Sequence, residues 1–419
     1  MGALVLTVFA MILGGAAQDA VVILWALFGV LGLADVVLSR GGARGAHVDA
    51  PAEVFVGETA RLHIEIEAAP RGLTGRLDWP EGLAGPLDLI FVAGSENAML
   101  DVPITALRRG TWALDHLWLR WSSRLGLFEF LPKLPLDIAL KVVPNIRLVQ
   151  SGQITTKVLS TLYGVKENQA VGEGSEFHQL RDFSPGMDIK TIDWKRSAKK
   201  RALVAKELRA ERNHHVIVAL DNGYLMGETA GGVPKIDHAI TAGLATAWAA
   251  AIGGDLVGYF AYDVRPRSFV KPEPGRLAFA RLRSWSAGLD YVGHETNHTL
   301  ALSELNARTP KRSLIIVFTD FVDATSAELL MENVAILSKR HVVIFVALRD
   351  PALEEIVGQA PTSVGAVARL AAAGQSLAQR KMVFERMARI GVTVLDVKPA
   401  EVTARLISTY LDIKAREVI

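Results

Sequence analysis

His215-Val216-Ile217-Val218-Ala219-Leu220-Asp221 is an apolar, β-branched run closed by a carboxylate. A short run with no polar alternation is expected of a strand buried on both faces of a parallel sheet. Downstream, a helical pattern covers 235–251. Strand runs at 256–260, 314–319, 342–348 and 392–395 then alternate with helical stretches at 276–287, 298–307, 325–339, 363–390 and 399–415. This alternation predicts a doubly wound parallel α/β domain over 213–419. Such sheets meet ligands at the carboxyl ends of their strands, which is where Asp221 and the pair Thr319-Asp320 would project.

Upstream of that run the hydrophobic period becomes two. Residues 53–56, 60–66, 98–104 and 112–119 alternate apolar and polar side chains, with turn signals at Val56-Gly57-Glu58, Pro80-Glu81-Gly82 and Arg109-Gly110-Thr111. The pattern predicts an antiparallel β-sandwich over 46–145. Trp112, Trp118, Trp121, Phe128 and Phe130 are expected in its core rather than on a binding face.

At the start of the chain, 1–18 is uncharged, and a second apolar run covers 20–34 and continues as Val36, Val37 and Leu38. Each run is close to the roughly 17–20 residues that a straight helix needs to cross a bilayer. A two-helix membrane hairpin over 1–39, turning at Gln18-Asp19, is therefore expected. Gly14-Gly15-Ala16-Ala17 resembles a signal-cleavage site, but a cationic start is missing and the second run would go unexplained. Arg40 and Arg44 follow the second run, so the positive-inside rule puts both ends and everything downstream in the cytoplasm, at the inner membrane. Asp35 would snorkel to the interface or pair within an assembly.

Composition narrows the function classes. The 419 residues exceed what one hydrophobic core serves, so two or three domains are expected. With 46 Lys+Arg against 44 Asp+Glu the chain is nearly neutral, which argues against a nucleic-acid coat. No cysteine is present, which removes disulfides, thiolate metal sites and cysteine nucleophiles. Nucleophile elbows and phosphate-cradling loops are also missing from the sequence.

Residues 171–212 read VGEGSEFHQLRDFSPGMDIKTIDWKRSAKKRALVAKELRAER and form the basic signature segment of a region spanning 146–212. Ser184-Pro185-Gly186 makes a turn, and Lys195, Arg196, Lys199, Lys200 and Arg201 follow Asp193-Trp194 as a cationic run. Two readings compete. The run is a partner-binding face, or its lysines are merely solvated while Arg181, Asp182, Asp188 and Asp193 make salt bridges that pin the segment to the next domain. Anionic lipid is a better ligand than nucleic acid, for which no stacking array is present.

The ordered pattern of Glu176, Leu180-Arg181-Asp182-Phe183, Pro185-Gly186-Met187-Asp188, Ile192-Asp193-Trp194, Ser197-Ala198-Lys199 and Leu203-Val204 resembles the domain of unknown function 58 family. Arg109-Gly110 and Gly126-Leu127-Phe128 fit the same family, although Arg124-Leu125 stands where an Asp-Pro usually precedes the latter. The resemblance implies a membrane hairpin, a β-rich region, the signature and a von Willebrand factor type A-like α/β domain over 213–419. It also implies a metal-ion-dependent adhesion site: Asp221 matches its first Asp, Thr296 its loop Thr and Asp320 its last Asp. Gly223 and Leu225 stand where two serine hydroxyls belong, so magnesium, which demands near-octahedral oxygen coordination, would lose two donors. A degenerate site without a tightly held cofactor is expected. His294 and His298 share a spacing that could ligate metal, against a bland reading as a solvated loop.

The family resemblance further implies a non-enzymatic, membrane-anchored scaffold or adaptor partnering a MoxR-type AAA+ ATPase in assembly or activation of other proteins. The alternatives are a metal-dependent hydrolase using Asp221, Thr296 and Asp320, and an extracytoplasmic adhesion module of opposite topology.

Overall fold

The structure, a computed structural model, describes residues 15–43, 45–93, 97–155, 176–209, 214–322 and 324–416. The chain divides into two compact units, Met1–Val143 and Pro144–Ile419. The fold is mixed α/β and has, among the described residues, one apolar helix near its N-terminus.

In the first unit, α1 (Ala16–Ser39) is a 24-residue helix, and its stretch Asp19–Ser39 is long and apolar enough to cross a membrane. The turn expected at Gln18-Asp19 is not there. Asp19 sits in the first turn of the helix, where the positive end of the helix dipole favours a carboxylate. The chain enters instead through Gly15, whose φ of 60° suits glycine. The first limb of the expected hairpin and Arg44 lie outside the described residues. Gly32, Asp35 and Ser39 form a buried stripe on an otherwise exposed helix. Asp35 is buried against the same unit: its Oδ1 accepts the Leu125 N–H at 3.0 Å, and Ser39 Oγ accepts the Arg124 N–H at 3.0 Å.

The same unit carries two sheets. One runs β1 (Gly45–Asp49), β3 (Thr59–Glu67), β8 (Ala98–Ala106), β5 (Leu83–Ala84), all antiparallel. The other runs β2 (Glu53–Phe55), β11 (Lys133–Val143), β9 (Gly110–Ser122), β4 (Thr74–Leu77), β6 (Leu89–Ile90), antiparallel except for β2 on β11. Only part of the expected aromatic core is realised. Trp121 is buried and stacks on Phe130 at 5.5 Å, whereas Trp118 and Phe128 are exposed. The reason lies in β9, where the buried positions step from Leu114 to Leu117, Leu119 and Trp121 beside an irregularity of β11 between Pro135 and Ile138. Such a bulge shifts the alternation by one residue, which turns Trp118 outward.

In the second unit, β12 (Glu176–Asp182) pairs antiparallel with β13 (Val204–Arg209), and α2 (Trp194–Lys200) lies between them in sequence. A six-stranded sheet follows. Its order is β18 (Pro266–Pro274), β17 (Leu256–Tyr262), β14 (His215–Asp221), β19 (Ser313–Phe318), β20 (Val342–Leu348), β21 (Thr393–Val397), parallel except for the edge strand β18. Alternate residues of β14 face opposite layers. Val218 meets Gly243 of α3 (Lys235–Ile252), where an added Cβ would stand 2.8 Å from it. Ile217 and Ala219 belong to the core shared with α5 (His298–Arg308), α6 (Ala324–Ser338) and α8 (Val364–Arg389). The helical pattern did not foresee β18, a small hairpin β15 (Thr229–Ala230) and β16 (Val233–Pro234), or α7 (Pro351–Gly358). In β18 the prolines hide the strand signal, since proline fits only edge positions.

Candidate functional site at the carboxyl ends of the strands

β14 and β19 lie side by side, so their parallel register delivers Asp221 and Thr319-Asp320 to one end of the sheet. Thr296 arrives on the loop before α5. Its Oγ1 donates to Asp221 Oδ1 at 2.5 Å, and Thr319 Oγ1 donates to Asp221 Oδ2 at 2.5 Å. The Gly223 N–H adds a third bond to the carboxylate, its second on Oδ1, at 2.8 Å. Gly223 is required by this packing, because a Cβ there would stand 1.9 Å from Thr296 Oγ1. The threonine hydroxyl thus fills the space a residue-223 side chain would need.

Burial pushes the Asp221 carboxyl above its ordinary range, more than nearby His298 and the three hydrogen bonds pull it down. His298 is held below the usual imidazole range by burial, with Asp221 acting in the opposite direction. Of the two candidate histidines, then, His298 stands beside the site, while His294 is exposed and contributes its carbonyl to the Tyr224 N–H.

Asp320 is satisfied differently. Lys235 Nζ donates to its Oδ2 at 2.8 Å and Arg380 Nη1 to its Oδ1 at 2.6 Å; the Phe321 N–H also donates to Oδ1 at 3.0 Å. Lys235 also binds Glu228 Oε2 at 2.8 Å, and Arg380 continues to Asp396 and to the Leu348 carbonyl. Lys235 begins α3, where the helix dipole disfavours a cation, and its side chain is 7% exposed. Burial works against the ammonium there, yet Asp320 and Glu228 outweigh it and hold its pKa above normal. The β15–β16 hairpin, turning through Gly231 and Gly232 at positive φ, is what brings Lys235 back to the site.

This donor set does not fit a divalent cation as it stands. Every carboxylate oxygen of Asp221 and Asp320 already accepts a bond from the chain, and Asp320 carries two internal counter-charges. Among the described residues no group of three His, Asp or Glu side chains is arranged to hold a metal. The structure brings Asp221, Thr296 and Asp320 together with Thr319, the residue read with Asp320 as projecting at this end of the sheet. Lys235 and Arg380 complete the cluster and were not foreseen, since neither carried a sequence signal.

The signature residues cluster separately. Asp193 caps α2 by accepting the Arg196 N–H at 3.1 Å, and Asp188 accepts the Lys190 N–H at 3.0 Å. Ser197 is buried and accepts the Val204 N–H at 2.9 Å, which ties α2 to β13. Asp182 pairs with Lys200 at 3.0 Å and Asp193 with Lys206 at 3.6 Å. These bonds brace the segment itself. Pro185 and Gly186 form the turn, with Gly186 at a φ of 104°. The side chains of Trp194, Lys195, Arg196, Lys199, Lys200 and Arg201 face solvent, as does that of Arg181. β12 begins at Glu176, whose side-chain surroundings lie outside the described residues.

Solved structures that resemble the chain include an aerotolerance-related membrane protein from Bacteroides fragilis, at 14% identity and a TM-score of 0.33, covering 49% of this chain and 100% of its own. BatB from Bacteroides thetaiotaomicron matches at 15% identity and a TM-score of 0.34 over 49% of this chain and 100% of its own. The SpRpn10 VWA domain matches at 7% identity and a TM-score of 0.29 over 47% of this chain and 95% of its own. The fold assignment rests on the strand order above and not on these likenesses. No curated protein matches the chain. Residues 179–370, from the signature ribbon into the first turns of α8, match the family described as Protein of unknown function DUF58.

Proposed function

We propose that the chain is a membrane-anchored, non-enzymatic adaptor of the inner membrane whose soluble parts are cytoplasmic and dock a MoxR-type AAA+ ATPase. In this reading the two sheets of the first unit are a β-sandwich, and the second unit is a doubly wound, von Willebrand type A-like docking domain that holds no tight metal. One observation carries it. The DUF58 signature folds into a braced ribbon that presents a cationic helix to solvent, with Trp194 64% exposed at its start. An exposed aromatic amid cations suits an acidic protein partner, because charge steers the encounter and an aromatic anchors it. The hydrolase alternative gains no support, since the carboxylates it would need as bases are consumed by internal bonds.

The test replaces Lys195, Arg196, Lys199, Lys200 and Arg201 together by Gln in the full chain. Exposed pairs contribute roughly 0–1 kcal/mol each, so folding should persist. Binding to the ATPase should weaken and lose its salt dependence, and more so than binding to anionic vesicles. Unchanged binding to the ATPase by the folded variant would refute the docking assignment.

A further inference from the structure

The loop that clasps the end of α1 exposes an apolar cluster that the adaptor reading leaves unused. Leu125 is 62% exposed, Leu127 42%, Phe128 45% and Leu131 64%. Single exposed leucines are ordinary, but four large apolar side chains within seven residues, a turn and the short strand Glu129–Phe130 that pairs back onto Trp121 and Ser122, are not.

This loop has a fixed shape. The Gly126 N–H binds the Ser123 carbonyl at 2.9 Å with φ at 73°, and the Ser123 N–H binds the Phe128 carbonyl at 2.8 Å. Ser123 Oγ accepts the Phe128 N–H at 3.0 Å. Its place against the helix is fixed as well. Asp35 and Ser39 accept the Leu125 and Arg124 N–H groups, and the Phe128 ring lies 3.6 Å from where a Cβ on Gly32 would be. The apolar cluster therefore stands level with the last two turns of α1, whose Leu33, Val37 and Leu38 are themselves exposed. Arg40 and Arg124 are exposed at the same level.

We propose that the 124–131 loop inserts its leucines and Phe128 into the membrane interface beside the end of α1, with a lipid bilayer as the occupant of this patch. The inference rests on α1 being a membrane anchor. Continuity with the exposed apolar surface of α1 selects lipid: a helix that ends in hydrocarbon holds whatever is bolted to its last turns at the hydrocarbon boundary. Apolar side chains flanked by arginines are the composition that this boundary favours. The bolts are short-range, so the loop cannot leave the interface without breaking the Asp35 and Ser39 hydrogen bonds.

The chain has no cysteine, so single labels are unambiguous. The full chain is reconstituted in phosphatidylcholine–phosphatidylglycerol vesicles as Leu27→Cys in α1, Leu127→Cys in the loop and Asp115→Cys on an exposed strand position, each carrying an environment-sensitive fluorophore. Nitroxide lipids labelled near the headgroup or deep in the acyl chain serve as quenchers. Leu127→Cys is expected to be quenched severalfold more than Asp115→Cys, with the shallow nitroxide the more effective, while Leu27→Cys is quenched by the deep one. Quenching at 27 without quenching at 127 overturns the inference and leaves the anchor standing. No quenching at 27 overturns the anchor, and the inference falls with it. Leu125→Cys, read by the same outcomes, replaces Leu127→Cys should that variant not fold.

Discussion

The two ends of the central sheet hold buried aspartates in similar company. At the amino end, fully buried Asp255 accepts from Lys414 Nζ at 2.7 Å, Tyr410 Oη at 2.5 Å and the His214 N–H at 3.1 Å. At the carboxyl end, Asp320 takes Lys235 and Arg380. In both cases the cation comes from a helix far along the chain, so a buried carboxylate–cation pair here is a device for closing the ends of the sheet and does not by itself mark a functional site. What distinguishes the carboxyl end is Asp221, which is held by two hydroxyls and a backbone N–H, with no cation among the described residues bonded to it.

The largest effect should come from removing a buried cation. Lys414→Ala leaves fully buried Asp255 with two neutral donors, Tyr410 and the His214 N–H, in place of a counter-charge, and should cost about 3–5 kcal/mol in denaturant unfolding. Lys235→Ala should cost less, about 2–3 kcal/mol, because Arg380 and the Phe321 N–H remain on Asp320. Equal losses would mean that the two ends are energetically alike. Thr319→Val keeps the shape of the side chain but removes one donor from Asp221, and about 1–3 kcal/mol is expected. A neutral result would place the burden on Thr296 and Gly223.

At the amino end a pH effect follows from His341, a half-satisfied buried imidazole at the start of β20. Burial, with the charges of Arg340 and Arg312, lowers its pKa to about 4. The unfolded chain takes up this proton near pH 6.5 and the native state only near 4, so stability present above 6.5 is lost as the pH falls between those values. Arg340 and Arg312 are exposed, and solvent screening of their charges holds the effect to about 1–2 kcal/mol. His341→Asn should flatten that slope in urea midpoints measured from pH 7 to pH 4. The smallest expected response is to metal: millimolar magnesium should leave the melting temperature of the full chain in detergent unmoved. A tight site would add about 2.7 kcal/mol at a hundredfold excess over its Kd. A clear rise that vanished in Asp221→Asn would restore a metal centre.

The sequence determined the elements whose pattern is local. The β14 run, the helix starting at 235 and the strand at 342–348 were legible because burial on both faces or on one face leaves a period that any register preserves. The convergence of Asp221, Thr296 and Asp320 followed from the resemblance and from the rule that parallel strands deliver their carboxyl ends together. Tertiary structure alone decided what those residues do. Arg380 reaches Asp320 from 60 positions away and Lys235 from 85. A helix-starting lysine looks solvated until a hairpin folds it inward. The outward turn of Trp118 and the clasp of Asp35 onto Leu125 depend likewise on a bulge and a loop contact. Pairings between distant segments leave no period in a single chain, so no reading of neighbours along the sequence could supply them.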